Sequence, residues 1–311
     1  MTPSASVLLL TTLTGFGYGL LAWLGVFGAA RGLPQQPWFG PLAIGFALAF
    51  ASAGLLASTL HLGRPERAWR AFSQWRSSWL SREGVAAVLT YLPALAFAAF
   101  WWFDGPGAGT TLVAGLAAGA MGMITVACTA MIYASLKPVR HWNNAHTLPD
   151  YLLFALYSGA LLLMLALALG GGDLKGAALL AAVLGLLGLV AKLAYWRHVD
   201  HAAPLATLGS AIGIRGATAR PLDKPHFTQN YILREMGFQV ARKHATRLRK
   251  IVIVCAFLAP TLLALAAAFG LWPAAMAFVA VILAACGLLA ERWLFFAQAV
   301  HVAALYYGHE V

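Results

Sequence analysis

Charge is scarce in this chain, and negative charge is the scarcest. Only 10% of the 311 residues are charged, whereas soluble domains carry roughly 25%. The 10 acidic side chains face 21 lysines and arginines, and hydrophobic residues make up 61% of the chain. The shortage of charge excludes an ordinary soluble domain and indicates an integral membrane protein.

Cysteine is also rare, which limits the metal chemistry of the chain. Cys128, Cys255 and Cys286 lie far apart inside apolar runs, and no two have CxxC spacing. We therefore expect no metal site in this chain and interpret the cysteines as small apolar core residues. The N-terminal stretch lacks the basic segment of a cleaved signal peptide, so we expect the first apolar run to be retained as a helix.

Long apolar runs are what the sequence has in place of charge. Runs of about 20 apolar residues cross roughly 30 Å of hydrocarbon as helices, and the alternation typical of membrane strands is missing. We therefore predict an all-α integral membrane protein, a bundle of eight transmembrane helices that forms one polytopic domain over residues 1–311. The predicted limits are 6–30, 41–60, 85–103, 111–136, 149–169, 176–196, 251–269 and 272–297.

Positive charge gathers on one side of the predicted bundle. With eight helices, both termini and the even-numbered loops share one side, and almost all lysines and arginines fall there, most of them in a long basic loop at about 197–250. Arg31 and Lys175 lie in odd-numbered loops, and we expect Lys192, inside the sixth helix, to snorkel toward the even-loop end. The positive-inside rule then predicts that the termini and the large loops are cytoplasmic.

The second half of the long loop predicts a basic amphipathic helix that continues into the seventh span. Leu233, Met236 and Val240 recur at helical spacing between basic residues, and Thr228 or Asn230 could cap the helix. Such a helix can lie on anionic lipid without a partner. We favour a protein partner, because the even loops together form a basic platform that includes aromatic residues. No nucleic-acid module is present, so nucleic acid is not an expected partner.

His61 and Glu83 are the residues best suited to proton chemistry at the membrane face. His61 ends the second apolar run, and an ordinary pKa of roughly 6.5 would let it exchange protons with a quinone; it could equally anchor a helix end among headgroups. Glu83 follows Ser81 at the predicted start of the third helix, where it could pair with the helix dipole and an arginine or relay protons beside His61. Spacing alone leaves both alternatives open.

Glu291 and Arg292 lie near the end of the eighth helix, where a structural pairing is favoured over a proton path.

The helix middles argue against two further classes of protein. None of the nine histidines lies near the middle of a predicted helix, so a b-type haem is not expected. The helix middles are apolar, which argues against a transporter with ion coupling at the midplane.

One segment carries a resemblance to a known family. The stretch HLGRPERAWRAFSQWRSSWLSREG, residues 61–84, resembles the membrane anchor subunits of the dimethyl sulfoxide reductase type, the DmsC family. Residues 133–163 and 230–250 look more like the branch whose anchor serves a cytoplasmic sulfite-oxidising molybdoenzyme, the quinone-linked sulfite dehydrogenase. The long sixth loop, absent from shorter reductase anchors, agrees with that branch. The family often has an acid four residues before the arginine of the last helix, where this chain has Leu288.

The resemblance implies a three-part complex of sulfur respiration in a bacterial inner membrane. A molybdopterin subunit would perform the substrate chemistry, and a ferredoxin-like subunit with four iron–sulfur clusters would carry electrons. This chain would anchor both and exchange electrons with ubiquinone or menaquinone, without haem and without catalysing the substrate reaction itself. The residues implied for the quinone site and its proton transfer are His61, Gly63, Pro65, Arg67, Ser81 and Glu83.

The basic aromatic loop and its neighbours are then expected to dock the iron–sulfur subunit. The residues expected in this docking surface are Arg64, Arg70, Trp75, Arg76, Trp79, Lys137, Arg140, Arg242 and Lys243. Three alternatives stay open at this point. The chain could anchor a dimethyl sulfoxide or other oxyanion reductase that draws electrons from quinol, it could resemble the polysulfide reductase type of anchor, or it could be a transporter or scaffold without a redox partner.

Overall fold

The computed structural model describes residues 4–59, 62–214, 219, 222–223 and 240–307. Within these residues eight helices are long and apolar enough to span a membrane, and no strand occurs. The prediction of an all-α bundle with eight spans is confirmed. The spans are α1 (Ala5–Ala29), α2 (Phe39–Thr59), α3 (Trp79–Phe103), α4 (Gly109–Ala134), α5 (Thr147–Gly170), α6 (Lys175–Asp200), α7 (His244–Ala268) and α8 (Pro273–Ala297).

The eight helices pack as two joined groups of four. Helix α1 packs against α2 and α4, and α3 packs against α4 and α2; helices α5 to α8 form a second ring in which α8 returns to α5. Contacts of α1 with α5 and α8, and of α4 with α5, join the two groups. Helices α1 and α5 are the most buried spans, because they lie at this seam.

Close backbone approach holds the seam together. A Cβ atom added at Gly159 of α5 would overlap the backbone of Gly19 in α1, and one added at Gly25 would overlap the backbone of Gly115 in α4. Small residues at helix crossings let backbones approach and gain dispersion contacts, which replace the hydrophobic effect inside lipid. The glycines of α1 therefore allow this helix to approach the backbones of both α4 and α5.

Helix α7 contains a π-helical segment with a clear cause. An α-helix over Val240–Ile251 passes into a π-helix over Val252–Leu258 and then into an α-helix over Ala259–Ala268. Pro260 has no N–H for the carbonyl of Ala256 four residues earlier, and the hydroxyl of Tyr157 in α5 donates to that carbonyl instead, at 2.8 Å. The predicted continuation of a basic helix into this span is confirmed from Val240 onward, whereas Thr228, Asn230, Leu233 and Met236 lie outside the described residues.

Two sequence predictions need correction here. Helix α3 begins at Trp79, six residues earlier than predicted, because Ser78 has extended backbone and its hydroxyl accepts a hydrogen bond from the Ser81 N–H. Ser81 and Glu83 therefore lie inside the helix and not at its cap. The cysteines are not uniformly core residues either, since Cys128 is buried, Cys255 is half-buried and Cys286 is exposed on the outer surface, where lipid would accept an apolar thiol.

Candidate functional site

A cleft of about 650 Å³ opens where α2 ends and α3 begins. Its volume falls within the range of small-molecule sites, roughly 300–1,000 Å³. The walls are mostly apolar, and the polar groups are few. The lining residues are Val7, Leu10, Leu55, Ser58, Thr59, Leu62, Arg64, Arg67, Ala68, Ala71, Phe72, Leu80, Glu83, Gly84, Ala87, Val88, Ile132 and Tyr133.

Glu83 is the buried acid of this cleft. Its side chain is 5% exposed, and its Oε1 accepts a hydrogen bond of 2.6 Å from the hydroxyl of Thr129 in α4. The same hydroxyl lies 3.1 Å from the carbonyl oxygen of Thr125. A hydroxyl has one hydrogen and two acceptor positions. Thr129 can therefore donate to a Glu83 carboxylate, or donate to Thr125 and accept from a protonated Glu83.

The structure brings some predicted site residues together and leaves others apart. Arg67 lines the cleft with Glu83, and so does Arg64, which the sequence analysis had placed in the docking surface. Gly63 is exposed and Ser81 is buried, and neither is part of the lining. Pro65 begins a 3-10 helix, Pro65–Phe72, that carries Arg67 and Phe72 to the cleft.

His61 lies outside the described residues, so the structure gives no account of its side chain. Thr59 and Leu62, the nearest described residues on either side of it in the chain, both line the cleft. The assignment of His61 to this site stays a prediction.

An apolar groove at the opposite ends of the helices provides a contrast. Its volume is about 290 Å³, and it runs between the start of α2 and the end of α5. Its lining consists of Trp38, Phe39, Leu42, Ala43, Phe46, Leu165, Ala166, Leu169 and Gly170. None of these side chains can take up or release a proton, so the groove suits an acyl chain and not acid–base chemistry.

The loop between α2 and α3 presents arginines stacked on tryptophans. The guanidinium of Arg70 lies 5.7 Å from the ring centre of Trp69, and that of Arg76 lies 5.5 Å from the ring centre of Trp75. Both pairs are exposed. Such cation–π pairs hold the rings and charges at the surface in fixed relation.

Arg82 secures this loop against the start of α3. Its Nε donates to the carbonyl of Trp75 at 3.0 Å, and its Nη2 donates to the carbonyl of Arg76 at 2.7 Å. Its guanidinium also lies 4.2 Å from the ring centre of Trp79. The predicted docking residues Arg70, Trp75 and Arg76 thus lie in a loop that Arg82 holds against Trp79, the first residue of α3.

The remaining predicted docking residues lie on other even-side segments. Lys137 is exposed and Arg140 is half-buried in the loop after α4. Arg242 and Lys243 fall within the helix Val240–Ile251, but their side chains lie outside the described part. The structure therefore does not test a continuous docking surface over all nine residues.

An ion cluster is buried between α6 and α8. The ammonium of Lys192 lies 2.5 Å from Oε1 of Glu291, with the two side chains 1% and 0% exposed. Nη1 of Arg292 lies 3.3 Å from Oε2 of Glu291, but this contact is not aligned as a hydrogen bond. Glu291 thus bridges two cations inside the bundle.

The prediction that Lys192 snorkels to the interface is wrong. The residue lies about 12 Å from the end of α6, at roughly 1.5 Å per residue, and the side chain instead meets Glu291 and the ring of Tyr195, 3.9 Å from its centre. A long-range ion pair replaces the solvent that a snorkelling lysine would seek.

Further titratable groups surround the ion cluster. Asp150, near the start of α5, is 5% exposed and within electrostatic reach of Lys192, Glu291 and Arg292. His146 lies just before α5, with its ring 5.4 Å from that of His198. Burial first, then the charges of His198 and Lys192, lower the pKa of His146 below its ordinary value.

Several site residues had no clear signal in the sequence. Thr129 reaches Glu83 across 46 residues of sequence, and Lys192 reaches Glu291 across 99. The depth of Lys192 within its span was the one available hint, because an intramembrane lysine normally needs a buried partner. Thr125 and Thr129 share a helix face at a spacing of four residues, but many threonines in spans bond only to their own backbone.

Comparison with known proteins places this architecture in a family. The profile described as DMSO reductase anchor subunit (DmsC) matches residues 42–298. The chain is also 34% identical over 322 residues to a subunit of the sulfite dehydrogenase of Allochromatium vinosum, an alignment that covers 99% of both chains.

Proposed function

This chain belongs to the DMSO reductase anchor subunit (DmsC) family, and on that premise we propose that it is the quinone-reactive anchor of a sulfite-oxidising molybdenum complex. It would hold a molybdopterin subunit and a ferredoxin-like iron–sulfur subunit with four clusters at the bacterial inner membrane. The likeness over the full chain to a sulfite dehydrogenase subunit supports the sulfite branch.

The observation that carries the quinone assignment is a buried carboxyl at an apolar cleft. Glu83 contributes an acid to walls that are otherwise mostly apolar, and Arg64 and Arg67 line the same cleft. A quinone supplies two-electron chemistry in which its carbonyl oxygens take up two protons. A flat apolar ring fits such walls, and the cleft volume is sufficient for it.

Glu83 is proposed to hold and release the proton within this site. As a protonated acid it donates to Thr129, whose hydroxyl then donates to Thr125; as a carboxylate it accepts from Thr129. Thr129 thus satisfies both protonation states without movement of the backbone. This property is what a general acid needs when it loses and regains a proton in each turnover.

His61 is proposed as a second proton donor, because Thr59 and Leu62, the described residues that precede and follow it in the chain, line the cleft. Gly63, Pro65 and Ser81 would act by shaping the loop and the start of α3, since Gly63 and Ser81 are not part of the cleft lining and Pro65 begins the 3-10 helix that carries Arg67 to it. The arginines of the cleft mouth would attract and orient polar groups of the bound ligand.

The basic aromatic loop is proposed as the docking site of the iron–sulfur subunit. Exposed arginines and tryptophans are residues enriched at protein interfaces, and Trp75 is 53% exposed. The charge bias of the sequence would place this loop, both termini and the other even loops in the cytoplasm. A partner docked there would bring its last cluster near the cleft.

The proposal is tested by purifying the chain from its native membrane in mild detergent. We expect molybdenum and iron to co-elute and sulfite to reduce a soluble quinone analogue. Co-eluting metals without sulfite activity would move the substrate to another oxyanion or a sulfoxide, with quinol as electron donor. Absence of metals and of large partners would refute the anchor function and favour a transporter or scaffold.

A pair of variants tests the assignment of Glu83. Glu83→Gln should lower quinone-analogue reduction at least about a hundredfold, the lower range for a lost general acid, while sulfite still reduces the iron–sulfur clusters. Glu66→Gln is the matched control, because Glu66 lies in the adjoining loop between α2 and α3 and is not part of the cleft lining. Equal rates in the two variants would remove Glu83 from the proposal, and His61→Ala tests His61 in the same assay.

A further inference from the structure

A small polar cavity lies behind Glu83, at the seam between the two groups of four helices. Its volume is about 20 Å³, counted as space for the centre of a water molecule, whereas one buried water needs roughly 10–15 Å³. Every residue around it is buried. The lining residues are Thr11, Thr12, Thr14, Gly15, Val126, Thr129, Tyr151, Phe154, Ala155, Ser158, Leu288 and Arg292.

Two hydroxyls at this cavity have no hydrogen-bond partner among the residues that the structure describes. They belong to Thr12, which is 5% exposed, and to Tyr151, which is 2% exposed. The hydroxyls of Thr11, Thr14 and Ser158 donate to carbonyls of their own helices. Because buried hydroxyls are normally paired, the two unpaired groups indicate a ligand with hydrogen-bonding capacity in the cavity.

Thr129 connects the cavity to the cleft. Its residue lines the cavity, and its hydroxyl donates to Oε1 of Glu83 at 2.6 Å. The hydroxyl oxygen can accept a further hydrogen bond from the cavity side while it donates to Glu83.

The cavity wall includes a fixed positive charge, Arg292 of α8. The guanidinium of Arg292 lies 3.7 Å from the ring centre of Tyr151 and pairs with Glu291, which pairs with Lys192. Arginine does not give up its proton in proteins. Arg292 can therefore act only as a hydrogen-bond donor and as a fixed positive charge.

We propose that this cavity is a binding site for one water molecule, held by Thr12, Tyr151 and Arg292, and that this water orients the Thr129 hydroxyl toward the Glu83 carboxylate. The water accepts from Tyr151 or Arg292 and donates to Thr129, which donates to Glu83. All donors then point from the cation to the acid and polarise one another. The inference rests on the proposed function, because it explains how Glu83 can part with a proton into a mostly apolar cleft.

The role assigned to Tyr151, Thr12 and the water is positioning, not catalysis. Other titratable groups in electrostatic contact with Glu83 are Tyr18 from α1, Cys128 and Tyr133 from α4, and Tyr151 from α5. The cleft adds Arg64 and Arg67. Thr12→Val removes a partner of the water and leaves all of these groups in place, so its pH profile separates the effect of the water on Glu83 from the loss of the Tyr151 hydroxyl.

The first test is a cryo-electron microscopy map of the intact complex at a resolution that shows waters. We expect one density peak in the cavity, within hydrogen-bond distance of the hydroxyls of Thr12 and Tyr151. Tyr151→Phe keeps the ring beneath Arg292 and removes only the hydroxyl, so the peak should be lost. The second variant is Thr12→Val, on the α1 side of the cavity. It keeps the shape of the side chain and removes its hydroxyl, so the peak should again be lost. A wild-type cavity without density would overturn the proposal.

The second test is the pH profile of quinone-analogue reduction by the complex. Without the water the Glu83 carboxylate loses one link of a charge-assisted chain, so kcat should fall about tenfold in Tyr151→Phe. The profile should move about one pH unit upward, with KM unchanged because the cleft is intact. Tyr157→Phe is the matched control, since its hydroxyl is on the same helix and donates to Ala256 away from the cavity.

The outcomes separate this inference from the function on which it rests. A wild-type complex that reduces the analogue, together with a Tyr151→Phe profile equal to that of Tyr157→Phe, would overturn the role of the water and leave the proposed function standing. A wild-type complex that shows the water peak but never reduces the analogue would refute the proposed function and, with it, the role of the water. A shifted pH profile together with a lost density peak in Tyr151→Phe supports both the role of the water and the proposed function.

Discussion

Breaking the buried ion cluster one charge at a time should destabilise the bundle strongly, whereas removing the pair together should not. Lys192 and Glu291 are 1% and 0% exposed and 2.5 Å apart. Lys192→Met leaves Glu291 buried with a misaligned contact to Arg292 as its remaining ion pair. Removing one partner of a buried pair costs about 3–5 kcal/mol, because the other charge is left uncompensated.

The stability that the double variant should regain, relative to the single variants, follows from a count of the buried charges. Lys192 and Arg292 are balanced by Glu291 and Asp150, all within electrostatic reach of one another. Either single variant leaves one net buried charge, while Lys192→Met combined with Glu291→Gln leaves none. We therefore expect a coupling free energy of about 3 kcal/mol between the two positions, at the upper end for residues in contact.

The assay is equilibrium unfolding in mixed micelles, followed by tryptophan fluorescence, for the wild type, both single variants and the double variant. Lys175→Met is the matched control, because Lys175 is exposed at the other end of the same helix, and it should change stability by less than about 0.5 kcal/mol. Single variants that each lose under about 1 kcal/mol, or a double variant whose loss is the sum of the two, would refute the reasoning.

Three further predictions follow from other parts of the structure. Gly159→Leu should prevent recovery of folded protein, because any Cβ there overlaps the backbone of Gly19, whereas Gly45→Leu should be tolerated because its Cβ meets nothing within 4 Å; size-exclusion chromatography of both variants decides the matter. Arg82→Lys should speed trypsin cleavage at Arg70 and Arg76 severalfold without lowering bundle stability, since lysine cannot make both carbonyl contacts and the stack on Trp79; an unchanged cleavage rate would contradict this. His146, whose pKa is lowered, should remain neutral at pH 7, and its contribution to stability should be lost as the pH falls below roughly 6.5 toward the folded pKa. Unfolding of His146→Gln should then depend less on pH in that window than unfolding of the wild type, and equal slopes would count against it.

The number of spans and the acid at the cleft can both be predicted from the sequence alone. Continuous apolar runs leave the backbone no spanning structure but the helix, because lipid cannot satisfy its hydrogen bonds. Glu83 was singled out because it flanks the same loop as His61 and because the family resemblance implies it, and the structure places it in a cleft with Arg67. The start of α3 was predicted too late, because its first residues, Trp79–Arg82, are partly polar and because Ser78 rather than Ser81 caps the helix.

The contacts between residues far apart in the chain could not be predicted in this way. Lys192 and Glu291 are 99 residues apart, and Glu83 and Thr129 are 46 apart, so no local periodicity reports either contact. Helices α1 and α5 approach closely at Gly19 and Gly159, and the same two helices contribute Thr12 and Tyr151 to the wall of the cavity. Sequence patterns record which face of a helix is apolar, but the depth and rotation of each helix against its neighbours depend on packing between side chains that the chain brings together only when it folds.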